Sequence, residues 1–267
     1  MKNKIVQFTA MTTAAILAVS GCTAVADMAG YDTATLNASA AQGYNKVITQ
    51  ARSKDLLDTT SQTSRRIHAV FNRMKPYAER ANTTGIPFAW QMSVIKSDQP
   101  NAWAMPGGKM AMYTGMVDKL NLTDDEIAAV IGHEMTHALH EHSKKAVGQQ
   151  VLTGLAADIG SSVLSAKTGI STDAANFSTG LLGELGLNMP FSRNQESDAD
   201  AGGLRLMAQA GYNPAAAVTV WEKMNKIQNN NTTLNALLST HPTNNARIAS
   251  IRKMLPEVMP IYQQNRR

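Results

Sequence analysis

Residues 123–142 read TDDEIAAVIGHEMTHALHEH, and this stretch carries the strongest signal for the fold. Thr123, followed three residues later by Glu126, forms a capping box, which is a start signal for a helix. The spacing predicts one helix over residues 124–145, with an apolar face that gives way to histidines. Four of the six histidines in the chain fall between residues 133 and 142. Composition alone would not produce such clustering.

The central five residues, His133-Glu134-Met135-Thr136-His137, form an HExxH motif. His133 and His137 are one helical turn apart on the same face, where both imidazoles can reach one Zn²⁺ at about 2.0–2.1 Å. Glu134 is placed to take a proton from the attacking water rather than to bind the metal. The alternative interpretation is a surface helix with incidental histidines. A catalytic zinc site also needs a third protein ligand.

A third ligand is predicted from a later segment, because His140 is about 10 Å along the helix axis from His133 and cannot share its metal. Residues 192–200 read SRNQESDAD and are predicted to be helical. Glu196 and Asp200 then share a face, so that Glu196 could bind zinc while Asp200 accepts the Nδ1 proton of a zinc-bound histidine. The alternative is a solvated acidic face, since an aspartate also occupies position 198.

Four motifs together resemble the HtpX and CAAX-prenyl-protease type of zinc metallopeptidase, in its lipoprotein and periplasmic branch. They are HExxH, the SRxxExxAD pattern at 192–200, the late His241-Pro242 followed by Arg247, and the segment NAWAMPGG at 101–108. The similarity covers roughly residues 60–255.

That resemblance implies a gluzincin-type α+β domain, predominantly helical, with a small sheet whose edge strand can bind substrate in extended form. It implies one zinc ion per chain with His133, His137 and Glu196 as ligands. It also implies that Glu134 is the general base and that Asp200 orients a ligand. His142 matches a family position without an evident chemical role.

The late histidine, His241, has two possible roles that make opposite predictions. As a catalytic residue it would donate to the oxyanion of the tetrahedral intermediate, and its loss would abolish turnover. As a latch it would take the fourth zinc position, and its loss would raise turnover. A structural alternative is a helix-capping histidine before Pro242.

The N-terminal residues 1–21, MKNKIVQFTAMTTAAILAVSG, have the layout of a secretory signal peptide. The sequence VSGC at 19–22 resembles the bacterial lipobox, which predicts that Cys22, the only cysteine, is acylated and becomes the new N-terminus. The alternative is a free or buried thiol after a signal peptide. Two or more acyl chains would give stable anchoring. By resemblance to enterobacterial lipoproteins, Thr23 in place of an aspartate after the cysteine implies transfer to the outer membrane, facing the periplasm.

The remaining chain divides into a lipidated tether over 22–43 and a metallopeptidase domain over 44–267. Small polar residues dominate the tether, which therefore has little to bury. Region 146–190 is interpreted as a packed helix near 147–164 followed by a flexible loop, with a membrane-contacting hairpin or lid as the alternative. The other elements predicted from periodicity and turn signals are helices over 44–58, 63–81, 193–210, from 213 and over 243–254, and strands over 88–95 and 109–114 joined by a turn at 105–108.

Composition and charge exclude several classes of protein. The chain has 267 residues, 43% hydrophobic and 17% charged, which is ordinary for a globular protein. With 5% aromatic residues and 15 methionines, the core is expected to be helical and aliphatic. Once Lys2 and Lys4 are removed with the signal peptide, 23 basic and 20 acidic residues remain, and the sequence has no basic run typical of nucleic-acid binding.

The sequence therefore predicts a zinc-dependent endopeptidase of the bacterial envelope. Its expected substrates are misfolded or stalled periplasmic and outer-membrane proteins, and the outer-membrane assembly machinery is a candidate partner. The competing hypothesis is a chaperone-like assembly factor that binds envelope proteins with little proteolysis. A weaker hypothesis is a zinc hydrolase that acts on a cell-wall peptide or amide.

Overall fold

The computed structural model of this protein describes residues 21–161, 190–228, 241 and 245–266. The predicted signal peptide, apart from its last residue, lies outside the described residues. Residues 162–189 also lie outside them, and these include the end of the helix predicted near 147–164 and most of the flexible loop predicted after it. Pro242, which follows the late histidine, is outside them as well.

The described chain is α+β and predominantly helical, as predicted. A three-residue 3₁₀ turn, Pro106–Gly108, lies between the second and third strands. The helices and strands, in chain order, are α1 (21–28), α2 (Thr33–Ser53), α3 (Gln62–Ala81), β1 (Gln91–Ile95), β2 (Ala102–Met105), β3 (Lys109–Tyr113), α4 (Thr114–Asp118), α5 (Asp124–Leu139), α6 (His142–Ser161), α7 (Arg193–Gln209), α8 (Ala216–Gln228) and α9 (Asn245–Asn265).

Helix α5, which carries HExxH, is the centre of the fold. Its predicted capping box is present, since the Thr123 hydroxyl accepts from the Glu126 backbone N–H at 3.3 Å and the Glu126 carboxylate accepts from the Thr123 N–H at 2.8 Å. Every residue from Glu126 to Leu139 is buried. The main core surrounds this helix with side chains from α3, the sheet, α7, α8 and α9. The motif therefore lies inside the main core of the described chain.

The prediction of one helix over 124–145 is wrong, because the helix breaks at residues 140–141, between α5 and α6. His140 caps the C-terminus of α5, and Glu141 has a left-handed φ of 51°. Helix α6 starts at the next residue, His142. A left-handed residue closes a helix by letting following N–H groups bond back to its last carbonyls, and here the N–H of Glu141 donates to Ala138 O.

The sheet has the order β1-β3-β2, which differs from the predicted pair of strands joined directly by a turn. Strand β1 pairs with β3 in parallel, and β2 pairs with β3 in antiparallel, so the turn at Pro106–Gly108 joins β2 to β3. Strand β2 escaped prediction because all four of its residues are buried, which removes the alternation of polar and apolar residues that marks a half-exposed strand.

Residues 22–43, predicted to be a lipidated tether, contain most of α1 and the first half of α2, which pack on the body. Asp32 caps α2 by accepting from the Thr35 N–H at 2.7 Å. Leu36 and Ala40 are buried, and Ala26 forms a small cluster with Leu36 and Val147 of α6. Small residues lower the hydrophobicity of a segment, but they also allow close helix packing. The predicted helix over 44–58 accordingly begins earlier and ends at Ser53.

The C-terminal helix α9 continues past its predicted end at residue 254 and includes Pro256 and Pro260. Proline in a helix interior is normally unfavourable. Here Val258 is buried, and Ile261 and Tyr262 pack against the main core, so tertiary contacts hold the helix together. Helix α7 matches its predicted span and ends before Gly211, whose φ is 75°. Among the described helices, none has the length and apolar character needed to cross a membrane.

Candidate metal centre

Three parts of the fold bring four side chains to one buried point. Helix α5 supplies His133 and His137, helix α7 supplies Glu196, and the segment before α9 supplies His241. One ligand atom from each lies within 4.8 Å of the others, and all four residues are buried. The HExxH spacing alone places the first two, whereas Glu196 reaches them because α7 packs along α5, and His241 reaches them from the segment before α9.

The spacing of these atoms matches a tetrahedral metal site. His133 Nε2 lies 3.0 Å from His137 Nε2 and 3.2 Å from His241 Nδ1. Glu196 Oε1 lies 3.0 Å from His241 Nδ1 and 3.4 Å from His137 Nε2, while its Oε2 lies 3.6 Å from His133 Nε2. Bonds of about 2.0–2.1 Å to a tetrahedral zinc put its ligand atoms about 3.3 Å apart. The donor set of three imidazoles and one carboxylate fits zinc.

Glu134 lies beside this set without joining it, and it is 3% exposed. Its Oε1 lies 3.4 Å from His241 Nε2. Burial raises the pKa of Glu134 above its ordinary value, although the nearby His241 and His133 act in the opposite direction. A carboxylate with a raised pKa is a better proton acceptor, which suits a general base.

Asp200 lies behind His133, as the sequence predicts for an orienting carboxylate. Its Oδ1 accepts from His133 Nδ1 at 3.0 Å, which leaves Nε2 directed at the ligand cluster. Burial would raise the pKa of Asp200, but hydrogen bonds from Arg247 and His133 outweigh burial and lower it.

Arg247 contacts several residues of the site, and no role was predicted for it from the sequence. It donates from Nε and Nη2 to the two oxygens of Asp200 at 2.8 and 2.7 Å. Its Nη1 lies 2.5 Å from Glu196 Oε2, and its guanidinium stacks 3.6 Å from the ring centre of Trp221. A fork of this kind holds two carboxylates at defined positions. The sequence feature that could have predicted this role is an arginine on the otherwise apolar face of a late helix.

His142, Asp198 and Phe191 also approach the site and were not predicted to do so. His142 Nδ1 lies 2.9 Å from His137 Nδ1, and its Nε2 lies 2.9 Å from Asp198 Oδ2. Hydrogen bonds from His140 and His142 hold the pKa of Asp198 well below its usual range. Phe191 stacks on the His137 ring with centroids 3.9 Å apart. The break in the helix at Glu141 places His142 beside His137, whereas Phe191 and Asp198 come from the start of α7 and the segment before it.

The remaining predicted positions lie as follows. His241 turns Nδ1 toward the ligand cluster and Nε2 toward Glu134. Cys22 is partly buried beside α6, with Sγ 3.5 Å from Gln149 Oε1. His68, expected on a helix surface, is half-buried between α3 and β1, where Nε2 lies 3.3 Å from the Met92 carbonyl oxygen.

Comparison with known proteins agrees with this geometry. The mitochondrial metalloendopeptidase OMA1 of Schizosaccharomyces pombe is 34% identical over 168 residues, 63% of this chain and 47% of that protein. The metalloprotease LoiP of Escherichia coli K12 is 30% identical over 249 residues, 90% of this chain and 95% of that protein. The metalloprotease YcaL of the same organism is 28% identical over 171 residues, 64% of this chain and 63% of that protein.

The chain spans half or less of the length of the fungal and plant OMA1 proteins that it matches. The sequence pattern of Peptidase family M48 matches residues 61–255, which include α5, α7 and the late histidine. The resemblance to a zinc metallopeptidase, inferred from the motifs, is thereby confirmed, and the chain belongs to peptidase family M48.

Proposed function

We propose that the protein is a zinc-dependent endopeptidase. The observation that carries this proposal is the tetrahedral spacing of four buried ligand atoms, from His133, His137, Glu196 and His241, with the carboxylate of Glu134 beside them. The similar proteins OMA1, LoiP and YcaL are a metalloendopeptidase and two metalloproteases, which supports the same class of reaction.

In the proposed mechanism His133, His137 and Glu196 hold the zinc ion. When bound, zinc polarises the scissile carbonyl and makes water more acidic. Glu134 takes a proton from the attacking water as the new carbon–oxygen bond forms, and it delivers that proton to the amine nitrogen when the carbon–nitrogen bond of the tetrahedral intermediate breaks. Asp200 keeps the His133 proton on Nδ1, and Arg247 holds Asp200 and Glu196 in place.

His241 is proposed to be a latch rather than an oxyanion donor. A catalytic zinc site keeps three protein ligands and leaves one position for water or substrate. His241 Nδ1 lies at the fourth corner of the ligand set, 3.2 Å from His133 Nε2 and 3.0 Å from Glu196 Oε1. The imidazole must therefore move aside before substrate can reach the site.

The first test measures zinc content and casein cleavage for the wild type and Glu134→Gln. Both proteins should carry about one zinc per chain, because Glu134 is not a ligand. Cleavage by the variant should fall by about 10²- to 10⁴-fold, the usual contribution of a general base. Casein cleavage at the wild-type rate by zinc-loaded Glu134→Gln would rule out this mechanism.

The latched geometry also favours a second candidate function, a chaperone-like assembly factor with little proteolysis. A protein that acts only by binding clients does not need its general base. Complementation of an envelope-stress defect by Glu134→Gln would therefore support the binding function, and failure to complement by a stable, correctly localised variant would support the peptidase.

For the location, we infer a lipid-anchored protein of the outer membrane that faces the periplasm. The support is the signal-peptide layout and the VSGC sequence that ends at Cys22. Substrates would then be misfolded or stalled envelope proteins, with the outer-membrane assembly machinery as a partner. Cys22→Ser should lose incorporation of labelled palmitate and leave the membrane fraction. A variant that stays with the outer membrane would contradict the lipid anchor.

A further inference from the structure

A chain of polar side chains extends from the metal centre toward the surface through His137, His142 and Asp198. His142 is 1% exposed, and Asp198 lies at the surface end of the chain with its side chain 46% exposed. The two ring nitrogens of His142 face different partners, His137 Nδ1 at 2.9 Å and Asp198 Oδ2 at 2.9 Å. Sequence reasoning found no role for His142, and the proposed reaction does not use it.

The position of His137 determines where the protons in this chain must lie. Its Nε2 is 3.0 Å from His133 Nε2, in the ligand cluster, so a metal bound there requires the proton of His137 on Nδ1. His142 Nδ1 must then accept that proton's hydrogen bond. The proton of a neutral His142 therefore lies on Nε2, where the Asp198 carboxylate accepts it. One arrangement of protons satisfies every atom, and it directs a lone pair of His137 at the metal.

Each of the two metal-binding histidines is therefore hydrogen-bonded to a carboxylate, one directly and the other through another imidazole. His133 Nδ1 is 3.0 Å from Asp200 Oδ1, a direct contact with a carboxylate. His137 reaches its carboxylate, Asp198, through the imidazole of His142. Carboxylates behind metal-binding histidines fix the tautomer and ring orientation and increase the basicity of the ligand.

The fold holds the backbone of His142 in position from two sides. Glu141, in the break between α5 and α6, has a left-handed φ of 51°, and its Oε1 accepts from the Thr33 hydroxyl at 2.6 Å. The Gln195 side chain at the start of α7 donates to the His142 carbonyl oxygen at 3.0 Å. The His142 side chain is buried, and both of its ring nitrogens have partners.

We propose that His142 is a positioning residue for the metal centre, which holds His137 as an Nε2 ligand through the hydrogen-bond chain to Asp198. The inference rests on the proposed zinc site. It assigns to His142 and Asp198 the role toward His137 that Asp200 has toward His133.

The test uses two variants of His142 that differ in which ring nitrogen they replace. The side-chain oxygen of Asn lies near the position of Nδ1 and can accept from His137, whereas the longer Gln reaches the position of Nε2. His142→Asn thus keeps the contact with His137, and His142→Gln loses it. His140→Ala is the matched control, since His140 Nδ1 bonds Asp198 Oδ2 at 2.6 Å from the exposed side.

The measurement is the zinc dissociation constant of the full chain, by competition with a chromophoric chelator, with circular dichroism of the zinc-free proteins as a check on folding. His142→Gln should weaken zinc binding about 10- to 100-fold, the usual effect of losing a partner behind a metal ligand. His142→Asn should recover most of that loss, and His140→Ala should bind zinc like the wild type.

Three results would overturn the inference: wild-type affinity in His142→Gln, equal losses in the Gln and Asn variants, or a second bound zinc that disappears in His140→Ala. The last result would make His140, His142 and Asp198 an ion site of their own. Failure of the proposed function is seen separately, as absence of casein cleavage in both the wild type and His241→Ala. If the wild type still binds one zinc in that case, the ranking of the His142 variants by zinc affinity decides the role of His142.

Discussion

Two buried glutamates in one site, Glu134 and Glu196, have pKa values shifted in opposite directions by their surroundings. Burial raises the pKa of Glu134. Burial acts on Glu196 in the same direction, but His133, with hydrogen bonds from His137 and His241, outweighs it and holds the pKa of Glu196 well below its usual range. A carboxylate that stays ionised suits a metal ligand, and one that gains a proton more readily suits a general base.

At the same scale, His241→Ala separates the two roles of the late histidine. Loss of the imidazole removes the group at the fourth corner of the ligand set, so casein cleavage per bound zinc should rise several-fold. The measurement is the cleavage rate normalised to zinc content, with the double variant Glu134→Gln/His241→Ala as an inactive control. A fall of about 10²- to 10³-fold with zinc retained would instead assign His241 to oxyanion stabilisation.

At the scale of elements, the site depends on how closely α5 and α7 approach. Gly132 and Gly203 allow the two backbones to touch, and a Cβ on Gly203 would lie 2.7 Å from the His133 N atom and 2.9 Å from the Gly132 carbonyl carbon. Backbone atoms cannot move aside as a flexible side chain can. This contact sets the distance between the histidines of α5 and the carboxylates of α7.

Gly203→Ala should therefore push the helices apart and weaken both the fold and the metal site. We expect a loss of about 1–3 kcal/mol in the free energy of unfolding, typical of overpacking, together with weaker zinc binding. Urea denaturation and chelator competition measure the two effects. Gly154→Ala on α6 is the matched control, because a Cβ there meets nothing within 4 Å. Unchanged stability in Gly203→Ala would show that α7 can shift freely.

Across the whole molecule, Glu126 links the start of α5 to α8 and makes stability depend on pH. Its carboxylate accepts from Thr219 Oγ1 at 2.7 Å and from Lys223 Nζ at 2.7 Å. Burial would raise the pKa of Glu126, but the hydrogen bond from Lys223, with those from the Thr123 backbone and Thr219, outweighs it and lowers the pKa. The stabilisation is therefore present above the unfolded pKa and is lost as pH falls through the lower folded pKa.

Glu126→Gln should reduce the free energy of unfolding by about 1.5–3 kcal/mol at pH 7, the range for hydrogen bonds to a charged group. The difference from the wild type should shrink between about pH 5 and pH 3, as the carboxylate becomes protonated. Urea denaturation at a series of pH values checks this. The control is Glu79→Gln, since Glu79 makes an exposed pair with Lys75 at 3.6 Å and should contribute little. If the difference in the free energy of unfolding between the wild type and Glu126→Gln stays constant with pH, the ion pair assigned to Glu126 is contradicted.

Expectations that depend on residues close together in sequence could be made without the structure. The start of α5 followed from Thr123 and Glu126, because capping is a contact between residues three apart. The pairing of His133 with His137 followed from the helical repeat. The third ligand had to be a side chain that can bind a metal, which left a few carboxylates as candidates. The structure brings one of them, Glu196, to the cluster.

The HExxH helix, the placement of His133 and His137 on one of its faces and the peptidase family of the chain could therefore be read from local sequence patterns. The three-dimensional fold was needed to establish that β2 is a strand, that residues 33–43 join the body, and that Arg247 and His142 contact Asp200 and His137. These features need contacts between residues far apart in sequence, or a single left-handed residue such as Glu141. Burial and long-range packing stabilise these features, and neither can be inferred from the local propensities of the residues.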